Sequence, residues 1–489
     1  MNKEFNLRLV LRVMGSLALV ESAVLLAVCL IPLIYGERDA GYFLLSSGIS
    51  LVFAGLALYS GRNPSPNIGK REGSVIVTFT WIIFTIIGLL PFWLSGSIPS
   101  FTDAFFETIS GFTTTGASIL NNIEELSHGM LFWRSMTHWM GGLGIIVISL
   151  AILPMFGTSG TQLFAAETTG PTKDKIHPKI NETAKRLFLI YIILTAAETI
   201  LLWIGGMSLF DAVNHSFATI ATGGFSTKQA SVGYWDSAYI QYVISIFMIL
   251  SGINFSLYYF GFKNKFQKIK ENEELRYYLI VLFFFITVVA LTLIDFSKPF
   301  SFPIIEKAWR DSMFTVSSLM TTTGFCTADY MYWQPVTWVI LLIVMLTGAS
   351  AGSTSGGIKM IRVVISAKTC YYEFKRLIHP NAVIPVRYNG HLVREDILTR
   401  VLAFTLLYLV TTGFGIMVLA ASGMGFLESV GGMITCLGGV GPGLGLVGPA
   451  GNFHDIPEFS KWFLSLMMLA GRLELYTVFL LFTPAFWKR

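Results

Sequence analysis

Asp103–Gly116 reads DAFFETISGFTTTG, and three later segments lie over it without a gap. They are DAVNHSFATIATGG at Asp211–Gly224, DSMFTVSSLMTTTG at Asp311–Gly324 and ESVGGMITCLGGVG at Glu428–Gly441. In each, an acid precedes a glycine by thirteen positions, and Ala or Ser directly follows the acid. A small residue stands seven after the acid (Ser110, Ala218, Ser318, Thr435) and an apolar one nine after it. Four matches at constant offsets, recurring at roughly 100–117 residues, mark a fourfold internal repeat. Each segment opens with about ten mostly apolar residues, too few to span a membrane and suited to a re-entrant half-helix. The expected half-helices are Asp103–Phe112, Asp211–Ile220, Asp311–Met320 and Glu428–Leu437.

The composition supplies the solvent. Of 489 residues, 53% are hydrophobic and 13% charged, against about 25% charged in a soluble domain. Forty Phe, 11 Trp and 18 Met are too many for water-soluble cores in so uncharged a chain. Low charge excludes a disordered protein, and a net charge of +5 is too small for a nucleic-acid binder. Ten stretches are long and apolar enough to cross a ~30 Å hydrocarbon layer. They run near Leu9–Ile34, Gly41–Ser60, Val75–Leu94, Leu131–Phe156, Leu187–Met207, Tyr239–Phe262, Tyr278–Ile294, Val336–Val364, Val401–Ser422 and Trp462–Phe482. The sequence thus predicts an all-α polytopic membrane protein: ten transmembrane helices plus four re-entrant pore half-helices.

One span precedes each half-helix and another follows it. Two spans per unit preserve orientation, so the four units are parallel repeats that can surround one axis. They occupy 66–160, 184–264, 276–368 and 398–489, behind a two-helix extension at 1–65. Most of the 34 Lys+Arg fall on one side, including Lys173, Lys175, Lys179, Lys263, Lys268 and the segment from Lys359 to Arg400. The positive-inside rule then places both termini in the cytoplasm. Acids outnumber basic residues on the other side, which either concentrates cations at an outer mouth or simply solvates it. The N-terminal apolar run is too long for a signal-peptide core and reads as a retained anchor. Cys29, Cys326, Cys370 and Cys436 lack CxxC or ligand-like spacing, so neither a disulfide framework nor a zinc site is expected.

The repeat unit has the physics of an ion pathway. An acid at the start of each half-helix suits an N-cap and the positive dipole end. The negative C-terminal ends then point toward mid-membrane, where four of them would stabilise a cation. Extended backbone in a bilayer is tolerated only where protein buries it or a watery cavity receives it. Thr113–Thr114–Thr115 and Thr321–Thr322–Thr323 leave backbone carbonyls free to turn inward, and the glycine after each permits φ > 0. Carbonyl rings that replace a hydration shell are a solution for K⁺ selectivity. A single TTTG could equally be a helix C-cap; four in register favour the pathway.

These segments, with TTTGAS at Thr113–Ser118, ATGGFST at Ala221–Thr227, TTTGFCT at Thr321–Thr327 and GGVGPGLG at Gly438–Gly445, resemble the Trk/Ktr/HKT superfamily of K⁺ transporters. The likeness covers nearly the whole chain, and the two extra N-terminal helices point to the bacterial TrkH/TrkG branch. The resemblance implies four M1–P–M2 repeats around one pore in the bacterial cytoplasmic (inner) membrane. It implies homodimers and a cytoplasmic nucleotide-binding regulatory ring of the TrkA kind. It also implies K⁺ as the bound and transported ion, with no organic cofactor and no nucleic-acid partner. By position, the filter glycines would be Gly116, Gly224, Gly324 and Gly441. The coordinating backbone would be Thr113, Thr114 and Thr115; Ala221, Thr222 and Gly223; Thr321, Thr322 and Thr323; and Gly438, Gly439 and Val440. Plant Na⁺-selective relatives carry Ser at the first filter glycine, so Gly116 favours K⁺. Repeat four departs from the Thr-rich pattern, which leaves the equivalence of its site open.

Gly348–Gly357 reads GASAGSTSGG and interrupts the span after the third segment. Consecutive Gly and Ser break a helix, and exposed backbone there needs a cavity. The resemblance makes this stretch, with Gly348, Gly352, Gly356 and Gly357, an intramembrane gate beneath the filter. Arg472 lies about ten residues into the last span, where a charge costs ~2.5–3.5 kcal/mol on the insertion scale. It must face the pore, as the resemblance implies, or pack against helix C-terminal carbonyls. Glu474 falls on the opposite helix face and is a poor intrahelical partner. No other basic residue is expected inside.

Gly352–Lys359 (GSTSGGIK) lacks the Gly-Lys-Ser/Thr end of a phosphate loop. His138 and His215 read as hydrogen-bonded packing residues. Gly141, Gly142 and Gly144 read as sites of close helix contact, and Trp93, Trp133, Trp235, Trp333 and Trp462 as interface anchors. No nucleophile or ligand constellation supports an enzyme. Two function classes remain: a gated K⁺-selective conduction pathway, or an H⁺- or Na⁺-coupled K⁺ symporter. Glu21 and Glu198 are the span-embedded carboxylates available for coupling.

Overall fold

A computed structural model of the chain describes residues 5–65, 69–142, 144, 180–295 and 301–487. The expected span Leu131–Phe156 and the loop lysines Lys173, Lys175 and Lys179 extend outside these residues. Apart from a two-stranded antiparallel hairpin, Arg387–Tyr388 with His391–Leu392, the regular structure described is helical.

Six described helices are long and apolar enough to cross a membrane, or eight if each bent pair counts as one span. The bent pairs are Ala238–Ser251 with Phe255–Phe262, at 93°, and Glu458–Arg472 with Tyr476–Phe482, at 114°. The expected spans Tyr239–Phe262 and Trp462–Phe482 are therefore broken rather than straight. The expected span Val336–Val364 is likewise two helices, Pro335–Thr347 and Met360–Ile378, joined by a nonhelical loop.

The helices Leu7–Val28 and Ala40–Ser60 pair along a seam of small residues. Gly15 lies against Ala54 and Ala57, and the Ser22 and Ser47 hydroxyls meet at 2.8 Å. The four half-helices are Phe101–Phe112, Leu209–Ile220, Phe302–Met320 and Phe426–Gly438. The third is nearly twice the expected length because it starts at Phe302–Pro303, with Pro favoured in a first turn.

The acids are not N-caps. Ser100 and Ser208 hold that position and accept the N–H groups of Asp103 and Asp211 at 3.3 and 3.0 Å. Asp103, Asp211 and Glu428 instead stand at the third helical position, which still favours a carboxylate. Asp311 lies well inside its longer helix.

The helix after each half-helix packs on the next repeat's half-helix. His128–Gly142 meets the second, Ala238–Ser251 the third, Pro335–Thr347 the fourth, and Glu458–Arg472 the first. The packing therefore closes on itself. Lys461 reinforces the closing contact with an ion pair to Asp103 at 2.5 Å.

Candidate ion pathway

The four Thr/Gly segments meet at the centre of this ring. Each half-helix ends in a Schellman-type turn, in which an amide just beyond the end reaches back over five residues. Thr115 N–H donates to Ser110 O, Gly223 to Ala218, Thr323 to Ser318 and Val440 to Thr435, all at 2.8–2.9 Å. The acceptors are the small residues that recur seven after each acid. The helix C-cap and the Thr/Gly segment are thus one structure here.

The cap requires a left-handed residue, and it falls on Thr114 (φ 54°), Thr222 (54°), Thr322 (56°) and Gly439 (70°). Two residues later φ is positive again, at Gly116 (80°), Gly224 (82°), Gly324 (85°) and Gly441 (101°). Repeat four shares the backbone of the other three, and its glycine occupies a position where Thr costs about 1–2 kcal/mol. In repeats one and three, hydroxyls bond across the strained residue, Thr113 to Thr115 and Thr321 to Thr323, each at 2.8 Å.

The segments form a closed ring. A Cβ at Gly116 would lie 2.1 Å from the Gly223 carbonyl oxygen, one at Gly224 2.0 Å from that of Thr323, and one at Gly324 2.0 Å from that of Val440. One at Gly441 would lie 2.9 Å from that of Thr115, completing the circuit. Glycine is required by contact as well as by φ. A vestibule opens onto these four glycines, with Arg134 and Lys228 on its wall.

Behind the ring stand residues that the sequence reading passed over. Arg134 is buried and donates from Nε to Glu107 Oε1 at 2.6 Å and from Nη1 to the Ser226 carbonyl at 2.9 Å. Glu107 also accepts from the Ser118 hydroxyl (3.0 Å) and the Ile119 amide (2.8 Å), holding the chain just past Gly116. His215 occupies the same offset in the second half-helix and bonds the Ser226 hydroxyl at 2.9 Å. His138 donates to the Gly111 carbonyl at 2.7 Å and stacks on Phe225. Both histidines are hydrogen-bonded packing residues, as expected. Trp133 is buried, its indole N–H donating to Gly88 O at 2.8 Å, and is not an interface anchor. Arg134 lies three residues into an expected span, and an intramembrane charge demands a partner. That signal could have found the pair.

On the opposite side of the ring lies the Gly-rich loop between Thr347 and Met360. Gly356 N–H donates to the Thr322 hydroxyl at 2.7 Å, and the Thr354 hydroxyl to the Ile220 carbonyl at 3.1 Å. A Cβ at Gly356 would lie 2.0 Å from Gly438 O. The loop thus touches three of the four half-helix ends. Arg472 donates to Thr354 O and to Gly141 O, both at 2.7 Å. It joins the loop to the first repeat and borders a small cavity shared with Lys359, Glu474 and Gly356.

Arg472 is not the sole basic residue inside. Arg134, Lys359, Arg362 and Lys461 are buried too. Arg362 pairs with Glu474 at 2.8 Å, and the bend after Arg472 turns Glu474 toward it. Gly141 and Gly471 are equivalent close contacts with no room for a Cβ, which would lie 2.0 Å from a half-helix carbonyl, Phe112 O and Leu437 O respectively. Gly142 meets Ala221, and Gly144 meets Trp81.

A family model described as a cation transport protein, TrkH, matches residues 42–489. The Trk system potassium uptake protein TrkH of Escherichia coli K12 is 38% identical over 486 residues, covering 99% of this chain and 100% of that protein. The Trk system potassium uptake protein TrkG of the same organism is 33% identical, with 99% of each chain covered. The crystal structure of the potassium transporter TrkH from Vibrio parahaemolyticus superposes with a TM-score of 0.88 at 34% identity, covering 98% of this chain and 99% of that one. Family model, full-length relatives and fold agree, and the chain belongs to the TrkH family of cation transport proteins.

Proposed function

We propose that this chain carries K⁺ into the cell through the ring at Gly116, Gly224, Gly324 and Gly441. The observation that carries the reading is the closed circuit of carbonyls from Thr115, Gly223, Thr323 and Val440, each against the preceding repeat's glycine. Carbonyl oxygens in a ring replace water around a dehydrated cation, and the negative ends of four half-helices favour its charge. Relatives named as potassium uptake proteins support K⁺ as the ion. The family is one of transport proteins, and the chain is a transporter rather than an enzyme.

The Gly-rich loop is the gate, and Arg472 is its latch. The loop closes the path on the side away from the vestibule, and a guanidinium there repels an arriving cation. The basic loops orient this side, with both termini, toward the cytoplasm of a bacterial inner membrane. A homodimer and a TrkA-like nucleotide-binding ring docking on those loops complete the assembly. Purified protein in liposomes tests the reading. Rb⁺ uptake should follow its electrochemical gradient with no dependence on a pH or Na⁺ gradient.

One observation favours ion coupling as a second reading. Glu198 is fully buried beside the second half-helix, with no hydrogen-bond partner for its carboxylate among the described residues. If a pH gradient alone drives Rb⁺ uptake, and Glu198→Gln abolishes that drive, the coupled reading replaces the first.

A further inference from the structure

We propose that Glu274 is the positioning residue of the gate, its carboxylate clamping both limbs of the Gly-rich loop at their root. The proposal rests on that loop being the gate. Glu274 belongs to a different element, the first turn of the helix Glu273–Leu293, and is buried at 3% exposure. Its Oε1 accepts the Ala351 N–H at 2.7 Å from one limb and the Ile361 N–H at 3.2 Å from the other.

The two limbs are already side by side at this point. Ile358 N–H reaches Leu346 O at 3.2 Å, and Met360 N–H reaches Ala349 O at 2.9 Å. Ile361 opens the helix Met360–Ile378, where the first amides have no partner within their own helix. Ala351 lies outside any helix, so its amide has no ladder to join. One ionised oxygen satisfies both donors. Its negative charge strengthens both bonds, whereas the amide oxygen of a glutamine holds the same place without that charge.

Glu274 is itself held in place. Asn272 caps its helix by accepting Leu275 N–H at 2.8 Å, and Tyr278, one turn on, donates to Ile249 O at 3.1 Å. The first limb is also tied to the neighbouring bent pair, Ser350 N–H donating to Gly252 O and Gly352 O accepting Phe255 N–H, both at 3.0 Å. Gly356 to Thr322 and Thr354 to Ile220 and Arg472 hold the tip beside the ring. Opening must free the tip while the root stays paired, and Glu274 sets the root. The neighbouring Glu273 supplies a control. Its carboxylate takes Lys368 Nζ at 2.5 Å, well away in sequence from the loop.

The full-length protein in liposomes, with ⁸⁶Rb⁺ as probe and no regulator present, tests this. Glu274→Gln should raise basal uptake roughly tenfold, the scale of the charge assistance lost from the two hydrogen bonds. Its Rb⁺/Na⁺ ratio should stay at the wild-type value. Amide exchange should rise in peptides spanning 348–361 and stay unchanged in the four half-helices, which a general loss of packing would also loosen. Glu273→Gln should match wild type. Where Glu274→Gln is not recovered folded, Glu274→Asp, too short to reach both limbs, carries the same expectation. Wild-type uptake in either Glu274 variant, together with raised uptake in Arg472→Ala, overturns the clamp and leaves the gate standing. Wild-type uptake in both Glu274→Gln and Arg472→Ala overturns the gate and the clamp with it.

Discussion

The carbonyl oxygen of Gly223 lies 2.1 Å from where a Cβ on Gly116 would stand. No side chain fits there without moving the ring, and φ of 80° at Gly116 adds a conformational cost. Gly116→Ser should therefore displace the Gly223 carbonyl and admit Na⁺. The Rb⁺/Na⁺ uptake ratio should fall on the order of tenfold, about 1.4 kcal/mol of lost discrimination. An unaltered ratio removes Gly116 from the selectivity filter.

Gly439 and Gly441 share a positive φ but differ in surroundings. A Cβ at Gly439 meets no described atom within 4 Å, so Gly439→Ala is charged only for its left-handed backbone, about 1–2 kcal/mol. It should lower the thermal unfolding temperature in detergent and leave the Rb⁺/Na⁺ ratio intact. Gly441→Ala sets a Cβ 2.9 Å from Thr115 O and should change that ratio. Equal effects on selectivity from the two variants contradict the ring geometry.

Arg472 spans two repeats by donating to Thr354 O and Gly141 O. Arg472→Ala removes both bonds and the charge, and basal Rb⁺ uptake should rise about tenfold or more. Arg472→Lys retains the charge, but a single ammonium lacks the planar fork that reaches two carbonyls. Its uptake should fall between the two. If lysine behaves as alanine does, the hydrogen bonds hold the latch; if it matches arginine, charge alone does.

The repeat and its left-handed Thr/Gly turns are legible in the sequence because they are local. The backbone at Thr113–Gly116 follows from five-residue hydrogen bonds within one helix end. The N-caps are equally local: Ser100 and Ser208 stand three residues before Asp103 and Asp211, a signature of the first helical turn. The expectation failed there by reading the acid without the serine before it. What the sequence hides is pairing at a distance. Arg472 finds Thr354 and Gly141 118 and 331 residues away, and Glu274 finds Ala351 77 residues away. No periodicity reports such contacts. Trp133 shows the same limit, since an indole at a span's edge looks alike whether it meets lipid headgroups or the Gly88 carbonyl.

The Glu107–Arg134 pair should be essential to the first repeat. Both side chains are buried, and truncating one partner of such a pair costs about 3–5 kcal/mol. Glu107→Gln should sharply lower the unfolding temperature. It should also reduce Rb⁺/Na⁺ discrimination, because the carboxylate holds Ser118 and Ile119 just beyond Gly116. The double variant Glu107→Leu/Arg134→Met should be less damaging than the sum of its singles. Additive losses in that cycle show that the two residues act apart.

Glu37 links the end of the first helix to the start of His128–Gly142, outside the spans. Partial burial pushes its carboxyl up, but the N–H groups of His128 and Gly129 and the His128 ring outweigh that and hold it below its ordinary value. A carboxylate with a lowered folded-state pKa contributes stability above its unfolded value and loses it as pH falls through the folded one. Glu37→Gln should therefore unfold at a lower temperature than wild type at neutral pH. The deficit should be about 1 kcal/mol or less, since the His128 side chain is 44% exposed. The two unfolding temperatures should converge as pH falls below the ordinary carboxylate range and the wild-type carboxyl protonates. A gap of unchanged size at that pH shows that Glu37 acts through packing and not through its charge.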